Sequence, residues 1–83
     1  SRPVALITGA SRGIGRGIAL TLAKAATHDL VVNYAGNEAA ARECQVLATE
    51  AARSKIRVEI CQADISIAPD RDRLLDFTRS TFG

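Results

Sequence analysis

Residues 4–15 place a short apolar run directly before a glycine-rich turn and the start of a helical pattern. The run, 4–8, is continuously apolar up to its last residue, which is typical of a strand buried on both faces of a sheet. Gly9, Gly13 and Gly15 follow it. The first amides of a helix have no partner inside that helix, and the helix dipole favours negative charge there. The segment therefore predicts an α/β fold with an anion site after its first strand.

The rest of the chain repeats this alternation of apolar strand and amphipathic helix. Strands are predicted at 4–8, 30–34 and 56–63, and helices from the glycine turn to about residue 26, after Asn37 as N-cap, and from Pro69. The predicted buried helix faces are Ile14, Ile18, Leu22 and Ala25, then Ala40, Cys44, Leu47 and Ala51, then Leu74, Thr78 and Phe82 with Leu75 and Phe77. The order βαβαβα predicts a doubly wound parallel sheet.

The handedness of the connections sets the order of these strands. Right-handed crossovers place them in the order 3-2-1, with both intervening helices on one face of the sheet. We expect the first strand to be the most buried, and the third, where Ile56, Val58 and Ile60 alternate with Arg57, Glu59 and Cys61, to lie at an edge. The last helix alone would cover the other face, and the first strand would have no outer neighbour. Residues 1–83 are thus predicted to be an incomplete half of one domain, molten or aggregating when isolated.

Composition narrows the classes of function. The 83 residues allow one domain at most, and the net charge of +2, spread without a basic run, argues against nucleic acid or an anionic membrane as a partner. No apolar run approaches the roughly 20 residues of a membrane helix, and a signal peptide has no room before the first strand. Cys44 and Cys61 lack metal spacing and are predicted to be free apolar fillers, a disulfide being the alternative. Free cysteines favour a cytoplasmic protein. His28, the sole histidine, is predicted to be a surface residue.

The spacing of the glycines separates several kinds of phosphate site. A kinase or GTPase loop has a glycine, four residues of any kind, and then Gly-Lys followed by a hydroxyl residue. Counted from Gly9, the position of the second glycine holds Ile14, so this motif is absent. The general dinucleotide pattern G-x-G-x-x-G fails as well, because counting from Gly13 and Gly15 its third glycine position holds Ile18. A glycine-rich turn without any ligand is the remaining alternative.

The octet 8–15, with Thr8 at its start, reads Thr-Gly-Ala-Ser-Arg-Gly-Ile-Gly. It resembles the Thr-Gly-x-x-x-Gly-x-Gly signature of the short-chain dehydrogenase/reductase family, in its main branch. The segment 32–37 is similar to the second strand and turn of 3-oxoacyl-(acyl-carrier-protein) reductases. The resemblance implies a Rossmann-type sheet, a nicotinamide dinucleotide cofactor and an oxidoreductase that continues beyond these residues. It covers the whole chain but about the first third of a family member.

The resemblance and the glycine geometry together define a predicted cofactor site. Its members are Gly9, Ser11, Arg12, Gly13, Ile14, Gly15, Asn33, Tyr34, Ala35, Asp64 and Ile65. Asp64, just after the third strand, resembles the family's aspartate that hydrogen-bonds the adenine ring; the alternative is a residue that only caps a loop.

The choice of cofactor depends on the end of the second strand. NAD-specific sites usually place an acid there, to bind the ribose 2′-hydroxyl. Here that place holds Asn33, Tyr34 and Ala35, and Asp29 lies at the opposite end of the strand. Arg12 adds a positive group that could pair with a 2′-phosphate, unless it is a solvent-exposed turn arginine. The prediction is NADP rather than NAD.

The residues that family members use for chemistry are not in the chain. The resemblance implies a catalytic Tyr-x-x-x-Lys, whereas the one tyrosine, Tyr34, is followed four residues later by Glu38. No catalytic residue is therefore assigned. The intact protein is expected to reduce a small ketone or 3-oxoacyl thioester, to associate with the remainder of its own fold as a continuation or second chain, and to form a homo-oligomer. The alternatives are a stand-alone nucleotide-binding module without catalysis and, less favoured, an interaction domain without ligand.

Overall fold

Three parallel strands alternate with three helices, in the predicted order. A computed structural model describes residues 2–9 and 13–82. The elements are β1 (Val4–Ile7), α1 (Gly13–Ala25), β2 (Asp29–Tyr34), α2 (Glu38–Ala51), β3 (Val58–Gln62) and α3 (Ala68–Phe82). Each predicted strand and helix is present, and β3 is shorter than predicted because pairing with β2 begins only at Val58.

The three strands form one parallel sheet in the order β1-β2-β3. This is the predicted order 3-2-1 read from the opposite edge, and it places β2 in the centre. Val4 of β1 lies opposite Asp29, and Leu30 lies opposite Val58 of β3. All three strands therefore end together at the side where the glycine turn begins.

The degree of burial differs between the strands in a way that corrects the sequence analysis. The prediction that β1 is the most buried strand is wrong for these residues: Ile7 is buried, but the other three residues of β1 are partly exposed. The most buried strand is β2, in which Leu30, Val31 and Val32 are completely covered. The reason is topological, since β1 pairs with one neighbour and β2 with two. The edge position predicted for β3 is confirmed.

The helices divide between the two faces of the sheet, as the crossover argument predicts. On one face the described residues form a core contributed by all three strands, α1 and α2, namely Ile7, Ala19, Ala23, Leu30, Val32, Cys44, Ala48, Ala52, Ile56 and Val58. On the other face a smaller cluster joins Val31, Cys61 and Ala63 to Leu74 of α3, with Phe77 and Phe82 packed beside it. One helix thus covers a face of three strands.

The buried face of α1 matches the predicted one only at Leu22, which is partly buried against the core. Ala19 and Ala23 are completely buried, whereas Ile14 is 85% and Ile18 is 49% exposed. α1 is apolar on most of its circumference, so spacing alone does not select a face. The alanine face is the one in contact with the core.

The faces of α2 and α3 are predicted more closely. In α2 the buried residues are Ala41, Cys44 and Ala48, so the predicted stripe was correct at Cys44 and one position off elsewhere. In α3 Leu74 is buried as predicted, but Leu75 is 45% exposed. Both cysteines are free and buried, which confirms that part of the sequence analysis.

Candidate functional site

The turn that follows β1 has the backbone conformation that only glycine adopts without cost. Gly9 has φ of +63° and Gly13 has φ of +68°, a region that costs other residues about 1–2 kcal/mol. Apart from its neighbours in the chain, a Cβ atom built on either glycine would meet no atom of the described residues within 4 Å. The glycines are therefore needed for conformation, and the space beside the backbone is open to a ligand. The predicted site residues Ser11 and Arg12 lie outside the described residues.

The N-terminus of α1 begins at the second of these glycines. The amides of Gly13, Ile14 and Gly15 have no carbonyl four residues earlier within the helix to accept their hydrogen bonds. The first turn of α1 contains no acidic residue of its own, so the helix supplies no carboxylate to the positive end of its dipole. Such a terminus suits a phosphate or diphosphate group.

The amide of Gly9 is engaged by the protein itself. It donates to Oδ1 of Asn33, at 3.4 Å, which is longer than a typical bond of this kind. The Nδ2 of Asn33 donates to the carbonyl oxygens of Ala63 at 3.0 Å, Cys61 at 3.3 Å and Tyr34 at 3.5 Å. Asn33 is 3% exposed. Its side chain thus contacts the glycine turn and the end of β3 rather than solvent.

Tyr34 lies at the carboxyl end of β2 and points towards α2. Its hydroxyl donates to Oε1 of Glu38 at 3.3 Å, and Nε of Arg42 donates to Oε2 of the same carboxylate at 2.8 Å. Burial, followed by the charge of Glu38, raises the pKa of the Tyr34 hydroxyl. The hydrogen bond from Arg42 lowers the pKa of Glu38.

Glu38 is an acidic residue near the end of β2 that the sequence of the strand does not reveal, because it belongs to the next helix. The four-residue spacing of Glu38 and Arg42, which pairs side chains on a helix, was the available signal. Ala35 lies in the exposed turn between β2 and α2. Its carbonyl accepts a 2.7 Å hydrogen bond from Nε2 of Gln62. The predicted residues Asn33, Tyr34 and Ala35 therefore share one end of the sheet.

Asp64 caps its own loop. Its Oδ1 accepts hydrogen bonds from the Ser66 hydroxyl at 2.6 Å and the Ser66 amide at 2.9 Å, and these bonds lower the pKa of the carboxyl. Among the described residues nothing donates to its Oδ2. The loop-capping alternative is thus observed, and it leaves one carboxylate oxygen for another partner. Ile65, beside it, is 44% exposed.

An apolar groove of about 260 Å³ lies between β1 and α3. Its lining residues are Leu6, Thr8, Ile65, Arg71, Leu74 and Leu75. A larger cavity of about 370 Å³ lies at the C-terminal ends of α1 and α2, bordered by Lys24, Arg53 and Lys55. Parallel α/β sheets bind ligands at the carboxyl ends of their strands, which is the side of the glycine turn and the groove.

The family model described as short chain dehydrogenase matches residues 3–83. This chain belongs to the short-chain dehydrogenase family. It is 44% identical over 80 residues to the hydroxynaphthalene reductase-like protein Arp2 of Metarhizium anisopliae, covering 96% of this chain and 28% of that protein. It is 36% identical over 83 residues to a short-chain type dehydrogenase/reductase of Picea abies, covering 96% of this chain and 30% of that protein.

Solved structures of short-chain dehydrogenases share the fold. One of them is the crystal structure of YwfH, an NADPH dependent reductase involved in bacilysin biosynthesis. The match covers all of this chain and 34% of the YwfH chain, with a TM-score of 0.88 and 29% sequence identity. Acetoin dehydrogenase from Enterobacter cloacae matches all of this chain and 32% of its own, with a TM-score of 0.85 and 26% identity. The chain spans between 28% and 34% of the length of these four relatives.

Several predicted site residues of this short-chain dehydrogenase segment meet at one end of the sheet. The structure brings together the glycine turn, the end of β2 and the Asp64 loop, with Asn33 between them. Within the described ranges no group of three or more His, Cys, Asp or Glu side chains could hold a metal ion. Over the same residues no helix combines the length and apolar character needed to cross a membrane.

Proposed function

We propose that these residues form the nucleotide-binding part of an NADP-dependent short-chain dehydrogenase that reduces a carbonyl group to an alcohol. The observation that carries the proposal is the glycine turn, in which Gly9 and Gly13 have positive φ and open space directly before an α1 terminus without acidic residues. A bound NADPH supplies the hydride. The residues of this chain bind and orient its adenosine half.

Each part of that adenosine half has a proposed partner. The amides of Gly13, Ile14 and Gly15 bind the diphosphate, because they carry the positive end of the helix dipole. Oδ2 of Asp64 accepts a hydrogen bond from the adenine amino group, and Ile65 packs against the ring. An aspartate carboxylate is already ionised, and thus an acceptor, at neutral pH, and the hydrogen bonds from Ser66 lower the pKa of Asp64 further.

The preference for NADP over NAD is supported by the charges near the end of β2. Glu38, the carboxylate at the start of α2, is paired with Arg42 and Tyr34, so its charge is partly compensated. Arg12 in the glycine turn supplies a cation for the 2′-phosphate. A solved relative, YwfH, is described as NADPH dependent, which agrees with this assignment.

The proposed substrate is a small ketone or a 3-oxoacyl thioester. A second candidate, a hydroxynaphthalene-type cyclic ketone, is favoured by the name of the relative that is 44% identical to this chain. Both candidates involve the same transfer of hydride to a carbonyl carbon. A stand-alone module would bind the dinucleotide without turning over any ketone.

The test is a titration of the full-length protein with NADPH and NADH, followed by nucleotide fluorescence. We expect at least a tenfold preference for NADPH, about 1.4 kcal/mol, that Arg12→Ala removes. Arg53→Ala, an exposed change at the far end of α2, is the matched control and should leave the preference intact. Equal affinities that Arg12→Ala does not alter would refute the NADP assignment. Oxidation of NADPH by ketones then distinguishes an enzyme from a binding module.

A further inference from the structure

Asn33 is an unusual core residue. Among the described residues it is the one buried amide side chain, at 3% exposed. Its oxygen accepts from the Gly9 amide, and its nitrogen donates to the carbonyls of Ala63, Cys61 and Tyr34. A buried amide engaged in this way holds the segments it joins, since breaking one bond leaves a desolvated group unpaired.

The two segments joined by Asn33 are not neighbours in the sheet. β1 and β3 are separated by β2, so a side chain at the end of β2 is placed to contact the ends of both. Gly9 opens the turn proposed for the diphosphate, and Ala63 directly precedes Asp64, proposed for the adenine. The Ala63 amide also donates to the Tyr34 carbonyl at 2.9 Å, so β2 holds this loop from both sides.

We infer that Asn33 is a positioning residue for the dinucleotide: it fixes the diphosphate turn relative to the adenine loop and does not contact the 2′-phosphate. This inference rests on the proposed function. Because its donors and acceptor already face protein groups, Asn33 acts through Gly9 and Ala63. Asn33 belongs to the predicted cofactor site because it occupies the end of the second strand.

The chemistry of the site selects asparagine. The Gly9 amide requires an acceptor, while the carbonyls of Cys61 and Ala63 require a donor, and an amide side chain presents both. A carboxylate at the same place would accept from Gly9 but would direct negative charge at two carbonyl oxygens. An apolar side chain would leave the turn and the loop without the connection.

The test compares Asn33→Ala with Gln45→Ala in the full-length protein. Gln45 is a matched control because its Nε2 donates to the Val58 carbonyl at 2.7 Å, which also ties an element to β3, but far from the glycine turn. The ligands are NADPH and adenosine 2′,5′-bisphosphate, measured by calorimetry beside thermal unfolding. Both variants should lower the melting temperature. Asn33→Ala should weaken the binding of both ligands about tenfold, equal to about 1.4 kcal/mol. Gln45→Ala should weaken their binding less than about twofold.

A second variant supplies a readout that loss of stability alone would not produce. In Asn33→Asp the introduced carboxyl can donate to Ala63 only when protonated. Affinity for NADPH, relative to the unsubstituted protein at the same pH, should therefore rise as the pH falls from 8 to 5. If this relative affinity does not change between pH 8 and pH 5, the inference is overturned.

The outcomes separate this inference from the proposed function. If the unsubstituted protein binds neither ligand, the proposed function fails and the inference fails with it. If it binds both and Asn33→Ala behaves as Gln45→Ala does, the inference alone is overturned. If Asn33→Ala does not fold, amide exchange in the unsubstituted protein decides: a protected Gly9 amide in the ligand-free state supports the inference, and an unprotected one overturns it.

Discussion

At the scale of single residues, two glycines of α1 differ in backbone conformation. Gly13 has φ of +68°, in the left-handed region, whereas Gly17 has ordinary helical backbone. A Cβ atom at either position would meet no described residue other than its chain neighbours and its own helix backbone within 4 Å. A substitution at Gly13 is therefore costly for conformational reasons alone, and it projects into the space proposed for the diphosphate.

We expect Gly13→Ala to lower the free energy of unfolding by about 1–2 kcal/mol and to weaken NADPH binding about tenfold or more. Gly17→Ala is the control, and it should raise stability by about 0.5–1 kcal/mol because alanine is the better helix former. The measurements are denaturant unfolding and NADPH titration of the full-length variants. If both variants kept normal affinity, the glycine turn would not be the diphosphate site.

At the scale of elements, α2 begins at a capping residue that the sequence identifies. Oδ1 of Asn37 accepts a hydrogen bond from the Ala40 amide at 2.9 Å, as predicted for an N-cap. Asn37→Ala should destabilise the protein by about 1 kcal/mol, because that amide loses its acceptor. Asn37→Asp keeps the acceptor and should unfold within about 0.5 kcal/mol of the unsubstituted protein. Urea unfolding measures the stability of both variants. If Asn37→Ala were as stable as the unsubstituted protein, the cap would contribute nothing to stability.

A buried cysteine on the core side of α2 predicts that the stability of the protein depends on pH. Cys44 is completely buried, and burial raises the pKa of its thiol. A group whose pKa is higher in the folded state contributes stability that is present below its unfolded pKa and is lost as the pH rises through the folded pKa.

Stability should therefore decline as the pH rises above about 8.5, the pKa of an unfolded cysteine. Cys44→Ala should reduce that decline, and Cys61→Ala, whose thiol pKa is likewise raised by burial, should remove a separate share. Urea unfolding at pH 7, 8 and 9 provides the comparison. Identical alkaline slopes in all three proteins would show that neither thiol is responsible.

At the scale of the whole molecule, the described residues form a sheet that is covered unevenly. α1 and α2 pack on one face, α3 alone packs on the other, and β1 forms an open edge beside an apolar groove. Ile14 and Ile18 add exposed apolar surface on α1. Exposed apolar surface of this kind is typical of an interaction or ligand-binding surface and, when left uncovered, promotes aggregation.

The 83-residue segment by itself should therefore lack a sharp thermal transition and should bind the dye ANS. The full-length protein is the control and should unfold cooperatively with little dye binding. Calorimetry and dye fluorescence of the two proteins, at matched concentration, test this. A sharp transition in the segment would contradict the expectation and favour a stand-alone module.

The order of the elements, the glycine turn and the Asn37 cap could all be predicted from the sequence. Each depends on residues within a few positions of one another, such as Gly9 and Gly13 or Asn37 and Ala40. The face of α1 could not, because Ile14 and Ile18 satisfy helical spacing as well as the alanines that are buried. The pairing of Tyr34 with Glu38 was also missed, because it joins a strand to the helix that follows.

The sequence by itself determined that this chain alternates strands and helices and presents a glycine turn of the short-chain dehydrogenase kind, since local conformation and handedness are enough for both. The tertiary structure decided which strand is the most buried and which groups Asn33 contacts. The residues that Asn33 joins, Gly9 and Ala63, lie 24 and 30 positions from it along the chain. They meet only because β2 is seated between β1 and β3, an arrangement that depends on packing the whole sheet.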